Sequence, residues 1–259
     1  MEEKELLVSR CLDAKKRALD SFMITSTSFL SADERSLISC IEREYSADIR
    51  TFYFGGFGEA ERTLAVFVPT VFGVENIGEY FAENPDDCPI CLIKLSKDRF
   101  SSLSHRDYLG SLMGLGIKRE TVGDIIPGEE YTFIFTLKSI SGYICENLTK
   151  VGRGTVSCEI CPLIDFVYDE GETETVFASV ASLRLDSVVS SAFNLSRTNS
   201  SLAVKSGLVY INSLQILKND YILKEKDKIV LRGKGKVVLE EIIGENKKGR
   251  IHINIKKFK

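Results

Sequence analysis

The sequence predicts an α+β protein made of three consecutive parts. Three observations carry that expectation. Apolar residues recur at helical spacing near the start and then give way to β-branched and aromatic runs. The central stretch reads as strand, helix, strand, strand, helix, strand, the βαββαβ order of a split-βαβ, ferredoxin-like domain. Charge is partitioned: residues 183–259 hold 16 Lys and Arg against 7 Asp and Glu, while the remaining 182 residues hold 18 against 30. A net of +9 beside −12 is hidden in an overall charge of −3, and such asymmetry points to a polyanion partner for the basic end.

The whole chain has 259 residues with 44% hydrophobic content, enough for two or three domains with ordinary cores. No apolar run approaches the ~20 residues of a membrane span. The opening "MEEKELLVSRCLDAKKRALDSF" is charged and lacks the apolar centre of a signal peptide. Seven Cys, an odd number in a long chain, fit reduced thiols in the cytoplasm rather than a disulfide frame. The expected location is therefore cytoplasmic, with no membrane partner.

Residues 1–82 are expected to form an N-terminal α/β domain. Leu7, Cys11, Ala14 and Ala18 fall on one helical stripe. In "SADERSLISCIEREY", Ser31 and Glu34 have capping-box spacing and start a second helix. "DIRTFYFGGF" and "RTLAVFVP" read as strands, with "GGFG" as a turn that lacks dinucleotide-binding spacing.

Residues 83–167 are expected to be the ferredoxin-like middle domain, entered through "NPDD". Its strands are placed at 90–96, 123–126, 131–139 and 154–160, its helices at 104–115 and 140–149. In "SHRDYLGSLMGLG", Ser104 is the N-cap with Asp107 three residues on. Tyr108, Leu109, Leu112, Met113 and Leu115 form the buried stripe, and Gly110 and Gly114 allow close approach to the sheet at some loss of helix propensity. Arg106, Lys118 and Arg119 lie at element ends, where cations reach phosphates. Many RNA-recognition domains share this strand order, but the aromatic residues of "YTFIFTL" read equally well as core.

Residues 168–182, with the acidic "YDEGETET", are expected to be a linker, and residues 183–259 a small basic domain. Leu185, Val188, Val189 and Ala192 make one helical face. Ser196 caps a second short helix that ends at Gly207, where a left-handed residue is needed. "LVYIN" and "KDKIVLRGKG" supply strands. Arg184, Arg197 and Lys205 stand near helix ends, and the flexible "RGKGK" loop presents Arg232, Lys234 and Lys236.

The elements "RLD" (184–186), "LSR" (195–197), "VKSGLVYIN" (204–212) and "DKIVLRG" (227–233) resemble the RNA-binding domain of small-subunit ribosomal protein four, the αL motif. That domain recurs in tyrosyl-tRNA synthetases, pseudouridine synthases and heat-shock RNA-binding proteins. The usual Gly of the "NG" turn is Ser213 after Asn212, the usual Gly before the turn Asp is Lys226, and a frequent Ala in the second helix is Ser200. A second resemblance lies in "LSHRDYLGSLMGLGIKRETVGDI" (103–125), which with the C-terminal domain is similar to the YlmH family of bacterial RNA-binding proteins. This resemblance implies three domains and a role on the large ribosomal subunit or its stalled peptidyl-tRNA, in ribosome-associated quality control.

Three motifs resemble sites of other chemistry. "HRD" lacks the Asn and the Gly-rich loop of a kinase. The Asp of "RLD" would be catalytic in a pseudouridine synthase, but Asp186 has too little chain after it and no acid–base partner. It is expected instead to hold Arg184 or Arg197 by a charge-assisted hydrogen bond. The two CxxC pairs, Cys88/Cys91 and Cys158/Cys161, have zinc-like spacing, yet the strand alternation of "VSCEIC" turns its sulfurs to opposite faces. No metal and no cofactor is expected. The expectation is thus a monomeric, non-catalytic protein that binds rRNA or tRNA. Backbone contacts fall to Arg184, Arg197, Lys205, Lys234 and Lys236, with Ser196 and Asn212 fixing the helix and turn. The alternatives are an RNA-modifying enzyme with its centre in residues 1–175 and a protein-interaction adaptor built on the acidic front part.

Overall fold

The computed structural model describes residues 2–42, 48–97, 103–168, 172–212, 214–246 and 249–258. The chain divides into two compact units, Met1–Tyr168 and Asp169–Lys259. Both are mixed α and β, in keeping with the expected α+β class.

The first unit runs α1 (Glu2–Ser21), β1 (Thr25–Ser26), α2 (Ala32–Glu42), β2 (Ile49–Phe54), β3 (Leu64–Pro69), α3 (Ile77–Glu83), β4 (Ile90–Lys97), α4 (His105–Gly114), β5 (Val122–Pro127), β6 (Tyr131–Leu137), α5 (Lys138–Asn147), β7 (Lys150–Val151) and β8 (Gly154–Cys161). The capping box at α2 forms as its spacing implies: the Ser31 N–H donates to the Glu34 carboxylate at 2.7 Å and the Glu34 N–H to Ser31 Oγ at 3.3 Å. The same pairing recurs at α4, where the Ser104 N–H donates to Asp107 at 2.8 Å.

Two antiparallel sheets organise this unit, in the orders β1-β3-β2 and β5-β6-β4-β8-β7. Without the short β7, the second order is that of a split-βαβ fold, with the first and third strands at the centre. Strand β3 is buried at every position, which explains its unbroken apolar run. Ala65 and Phe67 face α1 and α2 through Cys11, Ala14, Ala18 and Ile38. Leu64, Val66 and Val68 share a core with Ile90 and Leu92 of β4 and Phe135 of β6. The stretches read from sequence as N-terminal and middle domains are therefore joined by one apolar layer. The opposite face of the second sheet is covered by α4 and α5 through Tyr108, Leu112 and Ile144.

The second unit comprises β9 (Thr173–Val180), α6 (Leu185–Ala192), α7 (Arg197–Lys205), β10 (Val209–Ile211), β11 (Leu214–Gln215), β12 (Lys228–Leu231), β13 (Gly235–Glu245) and β14 (Ile251–Phe258). They form one sheet in the order β11-β10-β12-β13-β14-β9. One face packs on α6 and α7 through Leu185, Val188, Val189, Val204, Ile229, Leu239 and Ile253.

Two expectations are corrected. The segment read as a linker contains β9, which pairs with β14 from Thr173 to Val180. Its acidic, turn-rich start masked the alternation of "TVFASV", an edge strand that needs only one apolar face. Gly110 and Gly114 do not serve close packing: both are exposed, and a Cβ on either would meet nothing within 4 Å. They lie on the solvent side of α4, away from Tyr108 and Leu112. The close approach is made instead by Gly123, where an added Cβ would stand 2.6 Å from the buried Phe29 ring. Ser213 lies outside the described residues.

Gly123→Ala forces that ring aside in a full core, and an overpacked site of this kind loses about 1–3 kcal/mol. Urea denaturation should show a lower midpoint at unchanged slope. An unaltered midpoint would mean the Phe29 ring yields freely.

Candidate nucleic-acid interface

The basic unit places its cations at the starts of two helices and along one hairpin. Arg184 is the N-cap residue of α6, and Arg197 opens α7. Between them stands Asp186, whose carboxylate is 9% exposed. Arg184 Nε lies 3.2 Å from Asp186 Oδ1 and Arg197 Nη2 3.6 Å from Oδ2. The expected partnership thus forms with both arginines at once, while 41% of the Arg184 and 54% of the Arg197 side chain stays open to solvent. The first N–H groups of α6 are taken up by carbonyls of the chain itself, so what this corner presents to an anion is two guanidinium groups beside the positive ends of two helix dipoles.

Neighbouring residues hold this corner rigid. The Ser200 hydroxyl, buried where relatives of the domain often carry Ala, donates to the Asp186 carbonyl at 2.6 Å and ties α7 to α6. The Leu185 and Asp186 N–H groups donate to the Tyr221 and Asn219 carbonyls at 2.8 and 3.2 Å. Ser196 Oγ accepts from the Asn199 N–H at 3.1 Å, the expected cap. Helix α7 closes in a Schellman pattern at Gly207, φ +71: Gly207 N–H donates to Val204 O and Leu208 N–H to Ala203 O. Lys205 is exposed in the last turn, where a cation also offsets the helix dipole.

Asn212 takes a left-handed φ of +49 without a following glycine because its side chain holds the turn. Its Nδ2 donates to Asp227 at 2.8 Å and its Oδ1 accepts from the Lys228 N–H at 2.9 Å. Lys226, at the position where the domain usually has Gly, keeps φ +68, with its N–H on Leu239 O. In the loop after β12, Gly233 and Gly235 have positive φ and leave Lys234 exposed. Arg232 lies over the Tyr210 ring at 4.7 Å and Lys236 over the Phe258 ring at 3.8 Å. These aromatic partners were not legible in sequence, because they come from strands far along the chain.

In the first unit, Arg106 and Lys118 are exposed. Arg119 is not: its guanidinium donates to the Val122 and Gly123 carbonyls, and burial, with Arg62 nearby, pushes it down to about 10. Arg62 donates to Val122 O and Phe29 O, while Asp124 accepts from the Glu61 and Arg62 N–H groups. Arg119 therefore belongs to a clamp between the two sheets of this unit. The face of β4 and β6 that stacks bases in RNA-recognition domains is filled by the chain's own rings. Phe135 is buried under Phe57 at 4.9 Å and Phe166 at 5.0 Å, and Phe166 also covers Phe133 at 5.2 Å.

The cysteines of the two CxxC pairs diverge. Cys158 packs with the core under α4 and α5, Cys161 with the core on the other face. Among the described residues, no group of three or more His, Cys, Asp or Glu is placed to hold a metal ion. Burial pushes the Cys88 and Cys158 thiols up to about 11.

Residues 84–165 match the family model described as "Putative RNA-binding domain in YlmH", the span of the split-βαβ sheet. A curated relative from Bacillus subtilis (strain 168), "Ribosome-associated protein quality control protein P2", is 29% identical over 259 residues, covering 100% of this chain and 96% of the relative. The chain is thus similar to YlmH-type proteins in its middle span and to this relative over its full length. The solved structure of "Cell division protein ylmH from Streptococcus pneumoniae" aligns at a TM-score of 0.50 and 20% identity, over 64% of this chain and 95% of that one, and bears out the fold. The YlmH model falls on the first unit, whereas the densest cations lie on the second. No helix among the described residues is long and apolar enough to cross a membrane.

The raised thiols carry a pH signature. A neutral thiol favoured by folding contributes stability that is fully present below the unfolded value of ~8.5 and is lost as pH rises through the folded value of about 11. Denaturant midpoints should fall between about pH 9 and 11, and the fall should be shallower in Cys88→Ala/Cys158→Ala. Equal slopes in both proteins would remove the thiols as its source.

Proposed function

We propose that this protein is a non-catalytic RNA-binding factor that works on the ribosome, as a monomer in the cytoplasm, with the large subunit or its stalled peptidyl-tRNA as target and ribosome-associated quality control as the process. The observation that carries the reading is the convergence of Arg184 and Arg197 on Asp186 at the N-termini of α6 and α7. It pre-positions two exposed guanidinium groups for a phosphate backbone, so little side-chain entropy remains to be lost on binding. The full-length similarity to a relative named as a ribosome-associated quality control protein supports the choice of RNA. The same geometry supports a non-catalytic role for Asp186, since each carboxylate oxygen faces an arginine and its backbone is fixed by Ser200 and Asn219. Lys205, Lys234 and Lys236 extend the phosphate track. Arg106 and Lys118 offer further contacts from the first unit, with Arg119 as a positioning residue.

Each lost phosphate contact lowers the slope of log affinity against log salt by about one unit. Arg197→Ala should weaken binding of a structured ribosomal RNA fragment at low salt and flatten that slope. Thermal melting of the same variant separates this from unfolding. A sucrose gradient of cell extract should place the wild-type protein with large subunits and the variant nearer the top. An unchanged slope together with unchanged co-sedimentation would refute the assignment of Arg197.

A further inference from the structure

The sheet of the second unit has a second face, turned away from α6 and α7, and its composition is not that of an ordinary solvated surface. Strand register puts its residues into cross-strand rows. Tyr210, Val230 and Lys236 form one row. Lys228, Val238, Lys256 and Thr175 form the next. Glu241, Asn254 and Phe177 follow, and Gly244, His252 and Ser179 complete the set. Rows two residues apart are about 7 Å apart, and neighbouring strands about 4.8 Å. Cations and rings thus alternate over a surface wide enough for several nucleotides.

Rings and cations on this face are already paired in the geometry that a base would use. The Phe177 and His252 rings stack at 5.0 Å and 27°, and Phe177 remains 60% exposed on an edge strand. The Lys236 and Lys256 ammonium groups lie 3.8 and 5.5 Å from the Phe258 ring, and the Arg232 guanidinium lies on Tyr210. Arg250 donates from the far end of the face to Ser179 Oγ at 3.1 Å. Glu241 is the acid in these rows, and it accepts from Asn254 at 3.0 Å.

We propose that this outer sheet face binds unpaired nucleotides of an RNA, with Phe177 and His252 stacking a base while Lys256, Lys228 and Lys236 hold the adjoining phosphates. The inference rests on the RNA-binding reading above and adds the kind of RNA segment recognised. An acidic peptide would need the lysines but not an exposed ring on a histidine. A lipid surface would need apolar neighbours, whereas Phe177 is flanked by Asn254 across the sheet and by Thr175 and Ser179 along its own strand. Stacking platforms combined with a cationic track are the general solution for single strands, because every base has a π-face.

The test uses the full chain and two probes, a 12-nucleotide oligouridylate and an RNA hairpin of the same charge, with polyglutamate as competitor. Phe177→Ala should weaken oligouridylate binding at least about fivefold, the lower end of what losing one stacked base does, and leave hairpin binding within twofold. Phe177→Trp should restore it and Phe177→Leu should not, since apolar volume without a π-face is insufficient. Lys256→Gln should weaken the same probe and flatten its salt slope by about one unit. Arg197→Ala should show the reverse preference, losing hairpin more than oligouridylate. Unchanged oligouridylate affinity in Phe177→Ala, with hairpin binding still lost in Arg197→Ala, would overturn this inference and leave the RNA-binding reading standing. Absence of binding to either RNA by the wild-type protein would overturn both. Polyglutamate competing as well as oligouridylate would also sink it, since charge alone would then account for the face.

Discussion

One carboxylate governs the basic unit. Two guanidinium groups beside two helix N-termini repel one another, and each helix end carries the equivalent of roughly half a positive charge. Asp186 supplies the anion that lets them stand together in the absence of a ligand. One negative charge does not neutralise the corner, so an outward excess of positive potential persists after pairing. The carboxylate can do this only if its backbone is immobile. Ser200 of α7 and Asn219 of the loop after β11 provide that immobility at Asp186 itself, and Tyr221 of the same loop holds the neighbouring Leu185 N–H. The Asp that resembles a catalytic residue in "RLD" is therefore a pin between two cations. The Ser in place of a small apolar residue adds a hydrogen bond to the same helix.

The parts of this structure that were legible in the sequence are those decided within a few residues. Capping boxes at Ser31 and Ser104, the Ser196 cap and the left-handed Gly207 all depend on neighbours three or four positions away. The pairing of Asp186 with Arg184 was visible because it spans two residues, and that with Arg197 because the two helices had to be adjacent. What stayed hidden depends on distant contacts. Strand β9 looked like a linker because its partner, β14, lies about 75 residues further on. Arg119 is the exception: the Val122 and Gly123 carbonyls it holds are only three and four residues on, and nothing in "KRETVGDI" marks the turn that brings them within reach. The aromatic residues of β6 left two readings open, core or base-stacking platform. The answer lay in Phe57 and Phe166, neither of which belongs to the motif.

That covering has a consequence for how the two units divide the work. The family model labels the split-βαβ span as RNA-binding, yet its sheet face is buried under Phe57 and Phe166. The residues before 183 also carry a net −12. A sheet already filled with its own rings cannot stack bases without unpacking a core of several kcal/mol. On the proposed reading, contacts from this unit would fall to exposed cations at element ends, such as Arg106 and Lys118. Such contacts orient a complex and add little sequence information.

The basic unit offers two chemically different surfaces on one sheet, and their energetics differ in a way that matters on a ribosome. As proposed, the helix corner would work through charge, and its affinity would fall steeply with salt because counterions are released on binding. The outer face adds stacking, which is far less sensitive to salt. It rejects a regular duplex because paired bases keep their faces buried in the helix. A protein with only the first surface would be drawn to any folded RNA. One that also needs an exposed base beside a phosphate corner is restricted to junctions where a duplex opens into a single strand. Folded ribosomal and transfer RNAs present such junctions at defined places, and two weak surfaces held rigidly on one small sheet gain specificity from the fixed distance between them.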